Sequence, residues 1–227
     1  MLSYIIPAYN EEKTLAEIVS RVRALDADKE IIIVDDGSED RTPEIAGQLA
    51  REHPEVVFRF HRTNRGKGAA IHTAIPLIRG DFAVIQDADL EYYPADTLRL
   101  YRTARKGHPV VYGSRNLAAG EDREVSSLSF YLGGLFLSAF ANFLYKSRLT
   151  DINTCYKLFE TGLLRSLCLR EEGFEFCEEI TARILRKKIE IIEIPVRYTP
   201  RRFSQGKKIK WTDGLVAART LVKYKLM

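Results

Sequence analysis

Apolar and polar positions follow one another in blocks along the first half of the chain, and the blocks carry two periods. Leu2–Pro7 ("LSYIIP") is apolar almost throughout, as a strand covered on both faces must be. Glu11–Leu25 then places Leu15, Ile18, Val19, Val22 and Leu25 at helical spacing. Glu30–Asp36 ("EIIIVDD") predicts a second buried strand, Arg41–Glu52 a helix with Pro43 near its start, and Val56–Phe60 a third strand. Gly68–Ile78 predicts a third helix ending near Pro76, Asp81–Asp87 a fourth strand, Pro94–Lys106 a helix, and Pro109–Ser114 ("PVVYGS") a further strand. Apolar strands separated by helices imply an α/β chain. Its sheet should be doubly wound and mostly parallel, with helices on both faces.

One later stretch breaks the rhythm. Val125–Tyr145 runs without a charged residue, long enough to raise a membrane span. Ser126, Ser127, Ser129, Ser138 and Asn142 dilute it, and Gly133-Gly134 is expected to interrupt it. The expectation is therefore an amphipathic helix lying in a membrane interface, with Lys146 and Arg148 at its end. A buried core or dimer helix is the competing reading.

In open parallel sheets, ligands bind beyond the carboxyl ends of the strands. Polar residues gather at those ends here: Pro7-Ala8-Tyr9-Asn10-Glu11, Asp35-Asp36-Gly37-Ser38, Asp87-Ala88-Asp89 and Gly113-Ser114-Arg115. One such acid would be read as a helix cap; four clusters at one sheet edge point to a site. Asp87 and Asp89 stand two apart, so in extended chain both would project to one side. Paired carboxylates repel unless a cation or a proton lies between them. A hard divalent ion such as Mg²⁺ takes oxygen ligands from one or two carboxylates plus a substrate phosphate. The cluster thus reads as a metal clamp for a diphosphate, with Glu91 either a third ligand or a solvent-facing acid. Gly66-Lys67-Gly68 suits phosphate held by Lys67 and backbone amides, or a plain glycine turn. It is neither GxxxxGK[ST] nor the three-glycine dinucleotide fingerprint, which sets aside P-loop NTPases and NAD enzymes.

Composition adds bounds. The chain has 227 residues, 45% hydrophobic and 29% charged, an ordinary globular balance for one large α/β domain or two small ones. Cys155, Cys168 and Cys177 form no CxxC pair. Reduced thiols in a cytoplasmic compartment are expected, not a disulfide framework or a zinc site. "MLSYIIPAYN" has neither a basic region nor a long apolar one, so no secretory signal is expected. Residues 196–227 carry nine Lys/Arg and one acid, a net of +8, against −4 for the remainder. That asymmetry suggests an anionic partner at the C-terminal end, or a solvated basic tail. Trp211 and Phe203 there accompany no nucleic-acid motif, so nucleic acid is not expected as a partner.

An ordered set of motifs spans nearly the whole chain: "IIPAYNEE" (Ile5–Glu12), "VDDGSEDRT" (Val34–Thr42), "NRGKGAA" (Asn64–Ala70), "DADLEYYP" (Asp87–Pro94), "GSR" (Gly113–Arg115), "DINTCYKLF" (Asp151–Phe159) and "YTPRRFSQGKKIKWTDG" (Tyr198–Gly214). With it the chain resembles the family 2 glycosyltransferases, in particular the dolichyl-phosphate mannosyltransferase and glucosyltransferase group. The resemblance implies a GT-A fold and inverting, metal-dependent hexose transfer from a nucleoside-diphosphate sugar to a polyprenyl or dolichyl phosphate. It implies one domain over 1–227, with a nucleotide-sugar half (1–115) and an acceptor half (116–227). By motif position, Pro7, Tyr9, Glu11, Val34 and Asp36 would hold base and ribose, and Lys67 a phosphate. Asp87, Ala88, Asp89 and Glu91 would hold the metal, Mg²⁺ or Mn²⁺, and the diphosphate. Arg115 would hold phosphate on the acceptor side. Arg202 and Lys208, beside Lys207, would come from a basic loop that closes over the phosphates. Asp89, Arg115 and Arg202 are the expected catalytic residues.

Which acceptor is used decides what the protein must supply. A sugar hydroxyl needs a general base, whereas a phosphate monoester, with a second pKa near ~6, does not. Asp151 is the candidate base for a soluble or saccharide acceptor; for a phosphate acceptor it would orient Lys157 or an arginine, with Arg115 and Arg123 as the cations. GDP-mannose is the first choice of donor and UDP-glucose the second. Many relatives continue into transmembrane helices where this chain stops at Met227, so a cytoplasmic protein peripheral on a membrane surface is expected. A non-catalytic nucleotide-sugar-binding protein is the alternative from another class.

Overall fold

The computed structural model describes residues 1–118, 127–201 and 211–227, the Trp211 side chain excepted. Seven strands form one sheet: β1 (Leu2–Ala8), β2 (Lys29–Asp35), β3 (Val56–Phe60), β4 (Phe82–Ile85), β5 (Val110–Ser114), β6 (Lys157–Glu160) and β7 (Ile192–Pro195). Their order is β3-β2-β1-β4-β6-β5-β7. β1 pairs in parallel with β2 and β4, β2 with β3, and β5 with β7. β6 is antiparallel to both its neighbours. The sheet is therefore mostly parallel, as expected, with one reversed strand that joins two parallel blocks. Helices α1 (Leu15–Arg23), α2 (Thr42–Glu52), α3 (Lys67–Ala74) and α4 (Thr97–Ala104) connect the first five strands. α5 (Leu128–Tyr145), α6 (Thr161–Ser166), α7 (Phe176–Arg186) and α8 (Trp211–Leu226) follow.

The predicted apolar faces are the buried ones. Leu15, Ile18, Val19 and Val22 of α1 are fully buried, as are Ile31, Ile32, Ile33 and Val34 of β2. Pro76 ends the third helix early, in a 3₁₀ turn over Ile75–Leu77, because its ring displaces the carbonyl four residues back. A similar 3₁₀ turn over Pro94–Asp96 precedes α4.

Strand lengths open a gap at the sheet's carboxyl edge. β4 ends at Ile85, and its last bond to β1 runs from the Gln86 N–H to the Ile5 carbonyl at 2.9 Å. β1 continues to Ala8, paired only with β2. Pro7, two residues beyond Ile5 and facing the same side, needs no donor where β4 has already turned away. The chain order also reverses between β1 and β4, so the gap lies at the topological switch point, where open α/β sheets bind ligands.

Two expectations are corrected. Gly133 and Gly134 do not interrupt the uncharged stretch; α5 runs straight through them, with open space where a side chain would stand. Nor does α5 segregate into apolar and polar faces. Leu137 and Ala141 pack against Ala217 and Leu221 of α8. Leu128, Leu132, Phe136 and Phe143, at helical spacing on the other side, are 54–81% exposed. α5 meets the length and composition of a membrane-crossing helix, with mean hydropathy 1.4.

Candidate active site

The loops after β1 and β2 lace to each other. The Asn10 N–H donates to Ser38 Oγ at 2.8 Å, Asn10 Oδ1 accepts from the Glu39 N–H at 2.9 Å, and the Glu11 N–H donates to Thr42 Oγ1 at 2.8 Å. Asn10 holds φ +51°, a left-handed conformation that Asn tolerates better than most residues. These bonds place Pro7, Tyr9 and Glu11 beside Asp36 at the sheet edge. Val34 is fully buried, paired with Pro7 and Arg59 across the sheet, so its side chain packs in the core beneath that edge.

Asp36 is also buried, and its carboxylate organises the loop before α3. Oδ1 accepts from the Arg65 N–H at 3.0 Å and contacts His61 Nδ1 at 2.6 Å; Oδ2 accepts from the Gly66 N–H at 2.7 Å. The expectation that the Gly66-Lys67-Gly68 amides cradle phosphate is corrected here. The Gly68 and Ala69 N–H groups donate to the Gly173 and Glu172 carbonyls at 3.2 and 3.0 Å. Both glycines are required by close approach: a Cβ would stand 2.4 Å from the Glu172 carbonyl oxygen at Gly66 and 2.2 Å from that of Glu171 at Gly68. Lys67 turns inward and forms an ion pair with Asp87. Burial opposes the Lys67 charge, yet Asp87 beside it holds the ammonium well above its usual pKa. Burial likewise opposes ionisation of Asp87, and Lys67 outweighs it, holding that carboxyl below the ordinary range.

Asp87 and Asp89 do not lie in extended chain. The strand has ended, Ala88 is buried in a turn, and Leu90 holds φ +64°. Asp89 Oδ1 accepts from the Glu91 N–H at 3.1 Å, a local Asx bond. Burial and the charges of Asp87 and Glu91 push the Asp89 pKa up to about 7. Glu91 is committed to the segment after β7. Its Oε2 accepts from Tyr198 Oη at 2.7 Å, its Oε1 from the Arg201 N–H at 2.8 Å, and its carbonyl from the Thr199 N–H at 2.9 Å. Arg197 pairs with Asp96 at 2.9 Å, so residues 196–201 lie as a strap along 91–96. Arg201 of the strap sits among Glu11, Asp89 and Glu91.

Among the described residues, no group of three or more His, Cys, Asp or Glu side chains converges as a preformed metal centre. The donor chemistry nonetheless fits a hard divalent ion. Asp87 and Asp89 offer oxygen donors alone, the ligand type such an ion takes. Glu91 as a direct third ligand does not fit equally well, since both its oxygens already accept from the strap.

On the other side of the sheet's carboxyl edge, Arg115 follows β5 and meets Asp151. Nε donates to Oδ2 at 2.7 Å, Nη2 to Oδ1 at 2.8 Å, and the Arg115 N–H to Oδ2 at 3.0 Å. Burial would raise the Asp151 pKa, but Arg115 lowers it below the usual carboxylate range. A carboxylate held down and gripped at two points is a poor proton acceptor, and the geometry suits Asp151 to orienting Arg115 better than to acting as a base. The guanidinium also faces the Tyr198 ring, 5.1 Å from its centroid. Asp151 is itself fixed through Glu193, whose carboxylate accepts from the Thr150 and Asp151 N–H groups at 2.7 and 3.0 Å. Lys157, the other group Asp151 was expected to orient, donates instead to the Ile152 carbonyl at 2.9 Å.

Arg123, Arg202, Lys207 and Lys208 lie outside the described residues. Sequence reasoning missed Tyr198 and Arg201, although both fall within the motif Tyr198–Gly214. In "PRRF" nothing in the order of residues says which arginine faces the acids. Glu193 carried no signal, since an acid in a strand of alternating residues reads as solvent-facing.

The glycosyl transferase family 2 model matches residues 3–168. Polyprenol monophosphomannose synthase of Mycolicibacterium smegmatis is 30% identical over 89% of this chain and 79% of its own length. Dolichyl-phosphate beta-glucosyltransferase ALG5A of Trichomonas vaginalis is 28% identical over 98% of this chain and 72% of its own. The chain spans less than half the length of some other relatives. Among solved structures, glucosyl-3-phosphoglycerate synthase of Mycobacterium tuberculosis, in complex with Mn²⁺, UDP-glucose and phosphoglyceric acid, superposes with a TM-score of 0.72. It is 17% identical and covers all of this chain and 80% of its own. That likeness establishes the GT-A fold.

Proposed function

The chain belongs to glycosyl transferase family 2, and on that premise we propose that it transfers a hexose, with inversion, from a nucleoside-diphosphate sugar to a polyprenyl phosphate at a membrane surface. Mannose from GDP-mannose is the first choice and glucose from UDP-glucose the second; the relatives' names include both sugars. The observation that carries the acceptor assignment is the neighbourhood of Arg115. Ser138 Oγ of α5 accepts from the Ile152 N–H at 3.3 Å, and Asn142 Oδ1 accepts from the Leu149 N–H at 2.8 Å. The segment that holds Asp151, and through it Arg115, therefore sits on the helix with the exposed apolar stripe. A buried cation beside an exposed apolar helix suits a phosphate with a hydrocarbon tail. Exposed Lys146 and Arg148 follow α5, exposed Arg219 and Lys225 lie on α8, and all four suit an anionic lipid surface.

The residues divide the work. Glu11, Tyr9 and the Asp36-organised loop border the donor side, and Asp87 and Asp89 would hold the divalent ion. That ion, when bound, would offset charge on the leaving diphosphate. Lys67 keeps Asp87 ionised and oriented. Arg115 would bind the acceptor phosphate through the part of its guanidinium outside the Asp151 pair, which leaves the phosphate oxygen free to attack. No base is required of the protein, in keeping with the low pKa of Asp151. Arg202 and Lys208 complete the proposal as cations on the diphosphate.

The test is nucleoside-diphosphate release across a panel of sugar nucleotides, with and without polyprenyl phosphate in anionic vesicles, with Mg²⁺ or Mn²⁺ and with chelator. Release from one donor that needs both lipid and metal is expected, and Phe136→Ser/Phe143→Ser should reduce it by weakening vesicle binding. Release indifferent to the lipid would refute the acceptor assignment and favour a soluble acceptor.

A further inference from the structure

Four carboxylates crowd the donor side: Glu11, Asp87, Asp89 and Glu91. Two side-chain cations among the described residues answer them. Lys67 is spent on Asp87. Of these two, Arg201 spans the other three, with Nη1 on Glu11 Oε2 at 3.2 Å, Nη2 on Glu11 Oε1 at 3.2 Å and on Asp89 Oδ2 at 3.1 Å, and Nε 3.6 Å from Glu91 Oε1.

The quality of these bonds differs from that of a permanent pair. Arg115 meets Asp151 at 2.7 and 2.8 Å in a two-point fork, the geometry of a strong charge-assisted bond. Every contact of the Arg201 guanidinium is longer, and its buried Nε has no hydrogen-bond partner among the described residues. Its guanidinium is shared among three acids: it meets Glu11 in a two-point fork of long bonds, both 3.2 Å, and reaches Asp89 and Glu91 through one nitrogen each. It fits the charge of the cluster better than its shape.

We propose that Arg201 is the resident counter-ion of this acid cluster and is exchanged for the divalent ion, so that guanidinium and metal occupy the cluster in turn. The inference rests on the metal assignment above and concerns this chain's own residue. A divalent ion on Asp89 would stand within a few ångströms of the guanidinium, and two cations there repel. Arg201 must then leave, at a cost that lowers the apparent affinity for metal. It would not go far, since Arg197 on Asp96 and the Val196 N–H on the Ser114 carbonyl at 3.1 Å hold the strap upstream. A diphosphate arriving with the metal supplies a new anion within its reach. The cluster thereby keeps a counter-ion in both states, and metal without nucleotide binds weakly.

The test reads metal binding and needs no turnover. Mn²⁺ alone is titrated into the full chain, with free ion counted by electron paramagnetic resonance, for wild type, Arg201→Gln and Arg201→Lys. Arg201→Gln should bind Mn²⁺ on the order of 10-fold more tightly, a coupling of ordinary size, while Arg201→Lys, which keeps the charge, should stay near wild type. In wild-type protein, where folding is not in question, Mg²⁺ should shift the Arg201 side-chain ¹⁵N resonance. Equal or weaker Mn²⁺ binding by Arg201→Gln, or an Arg201 resonance unmoved while Mg²⁺ binds, overturns the exchange and leaves the metal assignment standing. Failure of wild type to bind Mn²⁺ even with GDP or UDP present removes the metal assignment and this inference with it.

Discussion

Replacing Asp151 by Asn separates the two roles that an acid beside Arg115 can have. Asp151 is 3% exposed, and it accepts three hydrogen bonds from Arg115, at 2.7, 2.8 and 3.0 Å. Asn keeps one acceptor and turns an N–H₂ group toward a guanidinium, leaving a buried cation without its counter-charge. Breaking such a pair costs about 3–5 kcal/mol, a large share of the roughly 5–15 kcal/mol that holds a domain folded. At about 2–4 °C per kcal/mol for a chain of this size, the melting point should fall by about 6–20 °C. Calorimetry of wild type, D151N, R115M and D151N/R115M gives the coupling directly. The double variant should recover part of the loss, because no unpaired charge remains. Lipid-phosphate KM should rise in D151N as Arg115 loses its orientation. If Asp151 were instead a general base, D151N would keep its stability and lose kcat by about 10²–10⁴-fold. A D151N melting point within about 2 °C of wild type refutes the positioning argument.

Two further tests use other parts of the fold. Glu178 is buried, and burial pushes its pKa from 4.5 up to about 7. Because the folded state holds this proton more tightly than the unfolded one, the contribution is complete below pH 4.5 and is lost as pH rises through about 7. Urea titrations should therefore show Glu178→Gln gaining on wild type between those pH values, by on the order of 3 kcal/mol; a difference flat in pH would contradict the assignment. Gly68→Ala sets a Cβ 2.2 Å from the Glu171 carbonyl oxygen, which should cost about 2–4 kcal/mol by parting α3 from residues 171–173. Gly133→Ala, where nothing stands within 4 Å, should be neutral or stabilising by up to about 1 kcal/mol in the same thermal melt.

Much of the donor half was legible from period and position. The apolar runs at Leu2–Pro7 and Glu30–Asp36 could only be strands covered on both faces, and the spacing of Leu15, Ile18, Val19 and Val22 could only be one face of a helix. Those patterns are local, because burial of a strand or a helix face is written into neighbouring residues. They located the carboxyl edge, and with it Asp36, Asp87, Asp89 and Arg115. The loops gave way where contact is long-range. The Gly66-Lys67-Gly68 run resembles a phosphate cradle by composition, yet Glu171, Glu172 and Gly173, a hundred residues on, take its space and its amides. Gly133-Gly134 resembles a break, yet α5 passes through, since its packing on α8 outweighs the small penalty of two glycines.

The sequence by itself determined the α/β class, the edge at which chemistry gathers and the family, since each follows from residue type at short range or from the order of motifs. Tertiary structure alone decided how the charges are paired. Lys67 finds Asp87, Asp151 finds Arg115, and Arg201 finds Glu11 across 190 residues of chain. A carboxylate and a guanidinium read the same in sequence whether they face water, a ligand or each other. Only the fold fixes their separation, and in a buried site separation sets which charge is spent and which remains for the substrate.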